Sequence, residues 1–184
     1  MKNIIMVLFV LALTAQTSKS QAFTSVQWIV AEPTESFRQN AGTGTGGQAT
    51  YLYFFHPRFA LIGSVGYIKW GSRTDTVSNG QFKFTSIPVQ FGLRFLLSRD
   101  LVAPYVGFSV GMNYLMTRHA VANSSPVAFA DNNELKFGFT PLVGIAIRVA
   151  KPVGINIDGS YNIIYTSGAP SKFFGLAAGL SVGF

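Results

Sequence analysis

From Leu135 to Val149 the odd positions read Leu, Phe, Phe, Pro, Val, Ile, Ile, Val, while the even ones read Lys136, Gly138, Thr140, Leu142, Gly144, Ala146 and Arg148. A period of two with one apolar face predicts a β-strand. The alternation recurs. Val106, Phe108, Val110, Met112 and Tyr114 oppose Gly107, Ser109, Gly111 and Asn113, and Val153, Ile155, Ile157, Tyr161 and Ile163 oppose Gly154, Asn156, Asp158, Ser160 and Asn162. In the last segment Phe174, Leu176, Ala178, Leu180, Val182 and Phe184 oppose Phe173, Gly175, Ala177, Gly179, Ser181 and Gly183. In all, eight strands are predicted, near residues 25–33, 47–56, 59–71, 80–97, 102–117, 134–149, 153–166 and 171–184. Their connections alternate between long and short: 34–46, then His56-Pro57-Arg58, 72–79, Ser98 to Leu101, 118–133, Ala150-Lys151-Pro152, and finally 167–170.

The composition of the second face separates a membrane wall from a soluble barrel. A soluble barrel packs Phe, Ile and Val inward and turns Lys, Glu and Thr to water; here the face opposite the apolar one is mostly Gly, Ser, Ala and Asn. That is poor water-facing surface but good crowded interior. Eight strands close around a space just wide enough for side chains to fill, so inward glycines make room for Tyr105, Leu142, Ile164 and Phe173. Charged residues are only 11% of the chain and aromatics 14%, where soluble domains carry about 25% charged residues. The fold class expected is therefore all-β, an eight-stranded antiparallel up-and-down transmembrane β-barrel, with short turns in the periplasm and long loops outside. Phe55, Phe59, Phe95 and Phe184 are expected in a periplasmic aromatic belt, and Tyr51, Tyr67, Tyr114, Tyr165 and Phe174 in an outer one. Pro88 and Pro141 predict bulges, with a slip of the apolar face between Phe84 and Ile87.

The N-terminus sets the compartment. A short basic start at Lys2, an apolar run from Ile4 to Leu13 and the small-x-small ending Ser20-Gln21-Ala22 read as a cleaved secretory signal over residues 1–22, leaving a barrel over 23–184. The run is too short for a membrane-spanning helix. Removing Lys2 and Lys19 takes the formal charge from +7 to +5. No cysteine is present for a disulfide, a lipid anchor or a thiolate metal site, and no cofactor is expected.

Inward charges on the strands are Arg94, Arg148 and Asp158, which predict an ionic network in the barrel interior. The remaining cations fall at the rims. Arg38, Lys69, Arg73, Lys83, Arg118 and Lys172 sort to the outer side, where they are expected to meet lipopolysaccharide phosphates. Arg58, Arg99 and Lys151 take one periplasmic turn each, facing phospholipid headgroups. Scattered charges without a basic run exclude a nucleic-acid partner. The run Gly42 to Gly47 satisfies G-x-G-x-x-G but lacks the strand before and helix after that a nucleotide site needs, so it reads as an outer loop. His119, with Ser124, Ser125, Asp131 and Glu134 nearby, is the one enzymatic candidate, and default solvated-loop chemistry is preferred for it.

The terminal run Gly175-x-x-x-Gly179-x-x-x-Gly183-Phe184, the Pro104-Tyr105-Val106-Gly107 start of strand five with Gly111 four residues on, and the prolines at Ile87-Pro88 and Thr140-Pro141 resemble the small eight-stranded outer-membrane barrels of Gram-negative bacteria, the OmpA/OmpX type. The resemblance covers the whole mature chain. It implies that Leu180, Val182 and Phe184 form the signal read by the barrel-assembly machinery. With Phe184 as the last residue read, no periplasmic peptidoglycan-binding domain is expected after the barrel, unlike in the two-domain members. The function expected is a monomeric, porin-like outer-membrane protein with a structural or interaction role, presenting its loops for adhesion, envelope integrity or binding of an extracellular ligand. A narrow pore and an outer-membrane lipid-modifying enzyme are the alternatives.

Overall fold

The computed structural model describes residues 22–34, 37–72, 82–120, 129–166 and 170–183. The proposed signal segment, apart from Ala22, lies outside them, as does Phe184. Eight strands, β1 (Ala22–Thr34), β2 (Ala41–His56), β3 (Phe59–Ser72), β4 (Phe82–Leu96), β5 (Val102–Ala120), β6 (Phe129–Arg148), β7 (Val153–Ile164) and β8 (Ser171–Gly183), follow one another around a closed barrel, each antiparallel to the next. Closure is made by β1 on β8, from Phe23↔Gly183 to Thr34↔Lys172. This leaves no sheet edge along the wall, the condition for strands in lipid.

Several strands are longer than their periodicity foretold. β2 begins at Ala41, so the glycine run assigned to an outer loop is strand, paired Val30↔Thr45 and Ala31↔Gly44 with β1. The reason is steric. Gly44 and Gly46 turn inward, and a Cβ at Gly44 would lie 2.5 Å from Trp70 Nε1. β6 likewise starts at Phe129 instead of 134, and β5 runs to Ala120.

The prolines do not make bulges. β4 keeps one register against β5 through Pro88↔Asn113, and β5 against β6 through Phe108↔Pro141. Pairing simply lapses on one side, between Val65↔Val89 and Ile68↔Ser86 and between Phe139↔Ile163 and Leu142↔Ser160, without a shift. Each ring sits where its missing N–H would have faced that neighbour, so the ladder loses a bond and keeps its phase. The expected slip before Ile87 is absent for the same reason: Phe84 is buried inside the barrel with Ser86 and Gln90.

Outward residues form an apolar wall, with Trp28 63% and Phe91 65% exposed. Phe59 lies 4.9 Å from Phe95 and 6.2 Å from Phe55 near the periplasmic turn, and Phe137 stacks on Tyr165 at 6.1 Å toward the outside. Tyr51 departs from its expected place. It pairs with Thr24 at the start of β1 and Gly63 early in β3, so it belongs to the periplasmic half with Tyr53.

The inward glycines are spacers for large neighbours. A Cβ on Gly144 would fall 2.6 Å from the Tyr105 hydroxyl and 2.6 Å from the Ile157 carbonyl oxygen, and one on Gly107 would fall 3.3 Å from Leu142. We expect Gly144→Ala to destabilise the barrel by about 1–3 kcal/mol, the usual penalty of overpacking. Urea unfolding of the detergent-solubilised barrel measures it, and an unchanged midpoint would refute the spacer role.

Candidate functional site

The interior is divided into zones stacked along the barrel axis. In the outer half, inward residues of β1, β3, β4, β5, β7 and β8 build an apolar plug around Trp70, Phe84, Phe173, Leu115 and Ile164. A four-residue helix, α1 (Phe37–Asn40), lies between β1 and β2 and drives Phe37 into it. Phe37 sits 5.6 Å from Trp70 and 5.1 Å from Phe84, and Trp70 sits 5.1 Å from Phe173, mostly edge to face. Trp70 Nε1 finds no acceptor among the described residues.

Below the plug the inner face turns polar. Ser109 donates to Gln90 (3.0 Å), Gln90 to Thr140 (2.9 Å), Thr140 to Asn162 (3.0 Å), Asn162 to Ser160 (3.0 Å) and Ser160 to the Gly175 carbonyl (3.4 Å). Every donor points the same way, so each bond polarises the next. The chain ties β4, β5, β6, β7 and β8 across the interior.

Beside it lies the ionic centre. Asp158 of β7 accepts hydrogen bonds from Tyr105 Oη of β5 and Gln27 Nε2 of β1, and Arg94 Nη2 of β4 stands 3.7 Å from it. The Arg94 guanidinium lies 3.9 Å over the Tyr105 ring, a cation on an aromatic face. Arg94 and Asp158 are 5% and 8% exposed. A cavity of about 50 Å³ borders Arg94 and Asp158, room for a few water molecules. Among the described residues Arg94 Nε and Asn113 Nδ2 have no acceptor.

Of the three inward charges expected from the sequence, the fold brings Arg94 and Asp158 together and leaves Arg148 out. Arg148 is the last residue of β6, pairs with Gly154 and is exposed near the periplasmic turn. Strand parity gave it the right face but not its height. Gln27 and Tyr105 complete the centre in its place. At the foot of the barrel Phe23 stacks on Phe54 edge to face at 5.5 Å and covers the space above Gly183.

On the outer rim Arg38 and Lys69 are exposed and Lys172 is half-buried at the top of β8. Lys83 and Arg118 pair with each other in the β4–β5 ladder; their side chains, and all of Arg73, lie outside the described residues. In the assembly signal Leu180 and Val182 face outward from β8. Of the enzymatic set, Glu134 forms an ion pair with Lys136 at 3.0 Å and accepts from Asn132 at 3.2 Å. The side chains of His119 and Asp131, and all of Ser124 and Ser125, lie outside the described residues. Among the described residues no cluster of His, Asp or Glu could hold a metal ion.

Solved structures that superpose on this barrel include several outer-membrane proteins. The Neisserial surface protein A superposes with a TM-score of 0.61 at 18% identity, over 89% of this chain and 97% of that one. OprG of Pseudomonas aeruginosa gives 0.63 at 11% identity, over 90% and 96%. Ail, the attachment invasion locus protein of Yersinia pestis, solved in complex with the heparin analogue sucrose octasulfate, gives 0.58 at 16% identity, over 89% and 99%. At these identities the likeness is one of fold. A comparison with curated protein sequences finds no match. The model of the outer membrane protein beta-barrel domain matches residues 5–184, and with a closed eight-stranded barrel beneath that match, the chain belongs to this family of the cell outer membrane.

Proposed function

We propose that this barrel is a monomeric, non-catalytic scaffold with a closed lumen, which holds its outer strand ends and loops outside the cell for interaction with an extracellular partner. The observation that carries this reading is the filled interior: an aromatic plug from Phe37, Trp70, Phe84 and Phe173 above, the Arg94–Asp158–Tyr105–Gln27 centre below it, and Phe23 with Phe54 at the foot. A conducting pore needs a continuous aqueous path, and the cavity of about 50 Å³ beside Arg94 and Asp158 is far smaller. The attachment function named for the Yersinia protein agrees with an adhesive role on the same scaffold. Purified protein in planar bilayers is expected to give no discrete conductance steps; reproducible steps would return the narrow pore to first place.

The outer cations give the scaffold a second contact. Arg38, Lys69 and Lys172 stand on the outer side above the wall residues Tyr67 and Phe174, where charge-assisted bonds to lipopolysaccharide phosphates are favourable. Reversing all three to glutamate is expected to lower the lipopolysaccharide that co-purifies with the barrel. An unchanged ratio by mass spectrometry counts against the contact. Delivery to the membrane is assigned to the barrel-assembly machinery, through the alternate apolar residues Leu180, Val182 and Phe184.

A further inference from the structure

Ladder partners followed once round the barrel give its stagger. Thr24 leads through Tyr51, Gly63, Phe91, Val110, Phe139, Ile163 and Lys172 back to β1 at Thr34. The circuit returns ten residues higher after eight strands, so a row of partners climbs toward the outside by one and a quarter residues at each step from β1 to β2 to β3. The strands are tilted to match, leaning toward the β8 side as they rise.

That stagger sets two opposite charges level on the wall. Lys69 of β3 lies in the row of Thr45 and Val30, two steps from β1, and so stands two and a half residues above Val30, at the height of Glu32. Glu32 and Lys69 are both exposed and share the lipid-facing parity of Trp28, Val30 and Tyr67. Glu32 accepts from Thr43 Oγ1 at 2.7 Å, and among the described residues neither Glu32 nor Lys69 is in an ion pair. A carboxylate turned outward at this height meets anionic headgroups with its own sign. Lower down, Trp28 is 63% exposed midway along β1, and its ladder partners on either side are the small residues Ala178 and Gly47. Because the strands lean, the vertical strip beneath Glu32 and Lys69 runs through Val30 and Trp28 to Ala178.

We propose that this strip is a lateral self-contact, in which the β8–β1–β2 wall of one barrel meets the same wall of a second copy across a two-fold axis along the membrane normal. Such an axis keeps every height and exchanges left for right. Glu32 therefore faces Lys69 of the second copy and Lys69 faces its Glu32, while Trp28 falls beside Ala178 of the second copy, where no bulk opposes the ring, and the reverse. Each element occurs twice, and the small residues let the two walls approach closely, which association in lipid requires. Lipopolysaccharide is the poorer occupant: its phosphates suit Lys69 but lie against Glu32. Each barrel remains the complete monomer described above. The contact joins two finished units, and within it Lys69 exchanges a lipid phosphate for a carboxylate while Arg38 and Lys172 keep theirs.

Charge exchange between copies tests the contact. The chain has no cysteine, so Ala150→Cys in the exposed β6–β7 turn takes a single dye. Donor- and acceptor-labelled full chains are refolded together in phosphatidylcholine vesicles free of lipopolysaccharide, and energy transfer is followed as the lipid is increased. The parent should transfer above the level of an unrelated labelled barrel at the same density. Glu32→Lys alone and Lys69→Glu alone should each self-associate about tenfold less well. The two single variants mixed together, and the double variant carrying both changes, should return to within about twofold of the parent, because opposite charges again face each other at both points. Trp28→Ala should weaken association about fivefold, and heat-modifiable gel mobility shows that each variant is folded. Parent transfer no higher than the unrelated barrel, undiminished self-association of either single variant, or no recovery on mixing them would each overturn the self-contact. So would association that appears only with added lipopolysaccharide and magnesium and vanishes with a chelator, which would give Glu32 to a cation-bridged lipid instead.

Discussion

Arg94→Leu is expected to destabilise the barrel by about 3–5 kcal/mol, the typical result of removing one member of a buried ion pair. The loss is large because of what stays behind. Asp158 keeps its hydrogen bonds from Tyr105 and Gln27 but loses the cation that stands 3.7 Å from it, in an interior where it is 8% exposed. Asp158→Leu is expected to cost a similar amount, since Arg94 is then left with the face of Tyr105 and no counter-charge. The double variant should lose less than either single one, because both desolvation penalties vanish together. Denaturant unfolding in detergent, followed by tryptophan fluorescence or gel mobility, reads all three. Single variants within about 1 kcal/mol of the parent would mean that the centre contributes no more than an exposed pair.

Trp70→Ala is expected to cost about 3–5 kcal/mol, the range for deleting a large aromatic from a packed core. Trp70 is 0% exposed and is ringed by Phe37, Phe84 and Phe173. Trp70→Phe should cost clearly less, since it keeps most of the ring contact and removes an indole N–H that has no acceptor. The plug is also coupled to the glycine run. Gly44→Ala thrusts a Cβ against the indole and should cost about 1–3 kcal/mol in the parent. In the Trp70→Ala background that cost should largely disappear, a non-additivity expected of groups in direct contact. Additive losses would show that the glycine serves something other than the ring.

What could be read from the sequence divides along the same lines. Wherever the outward face is uniformly apolar and the inward one small or polar, as in β5, β6, β7 and β8, parity assigns both faces, and with them Asp158 and the room for Tyr105. β3 and β4 escape that reading because their inward residues include Ile62, Ile68, Trp70 and Phe84. Alternation separates two faces but does not say which apolar side chain meets lipid and which meets the plug. Phe84 looked like a phase slip for that reason. The glycine run of β2 carries no hydrophobic signal at all, so its strand character depends on a tryptophan two dozen residues away. Arg148 was misplaced because parity has no coordinate along the barrel axis. The outer end of β6 was hidden too, because Asp131, Asn132 and Asn133 are polar and read locally as loop.

The seam between β1 and β8 sets a condition on how the molecule comes into being. Seven of the eight seams join strands that follow one another in the chain, so each can zip from its connecting turn or loop at small entropic loss. The eighth joins Phe23 to Gly183 and Thr34 to Lys172, the first and last strands of the barrel, and long-range pairing of this kind is slow. Until it forms, the growing sheet has two raw margins that lipid rejects. The last strand made is thus the one that lets the first be finished, and a nascent chain halted anywhere before β8 is a curved sheet with nowhere stable to rest in the bilayer.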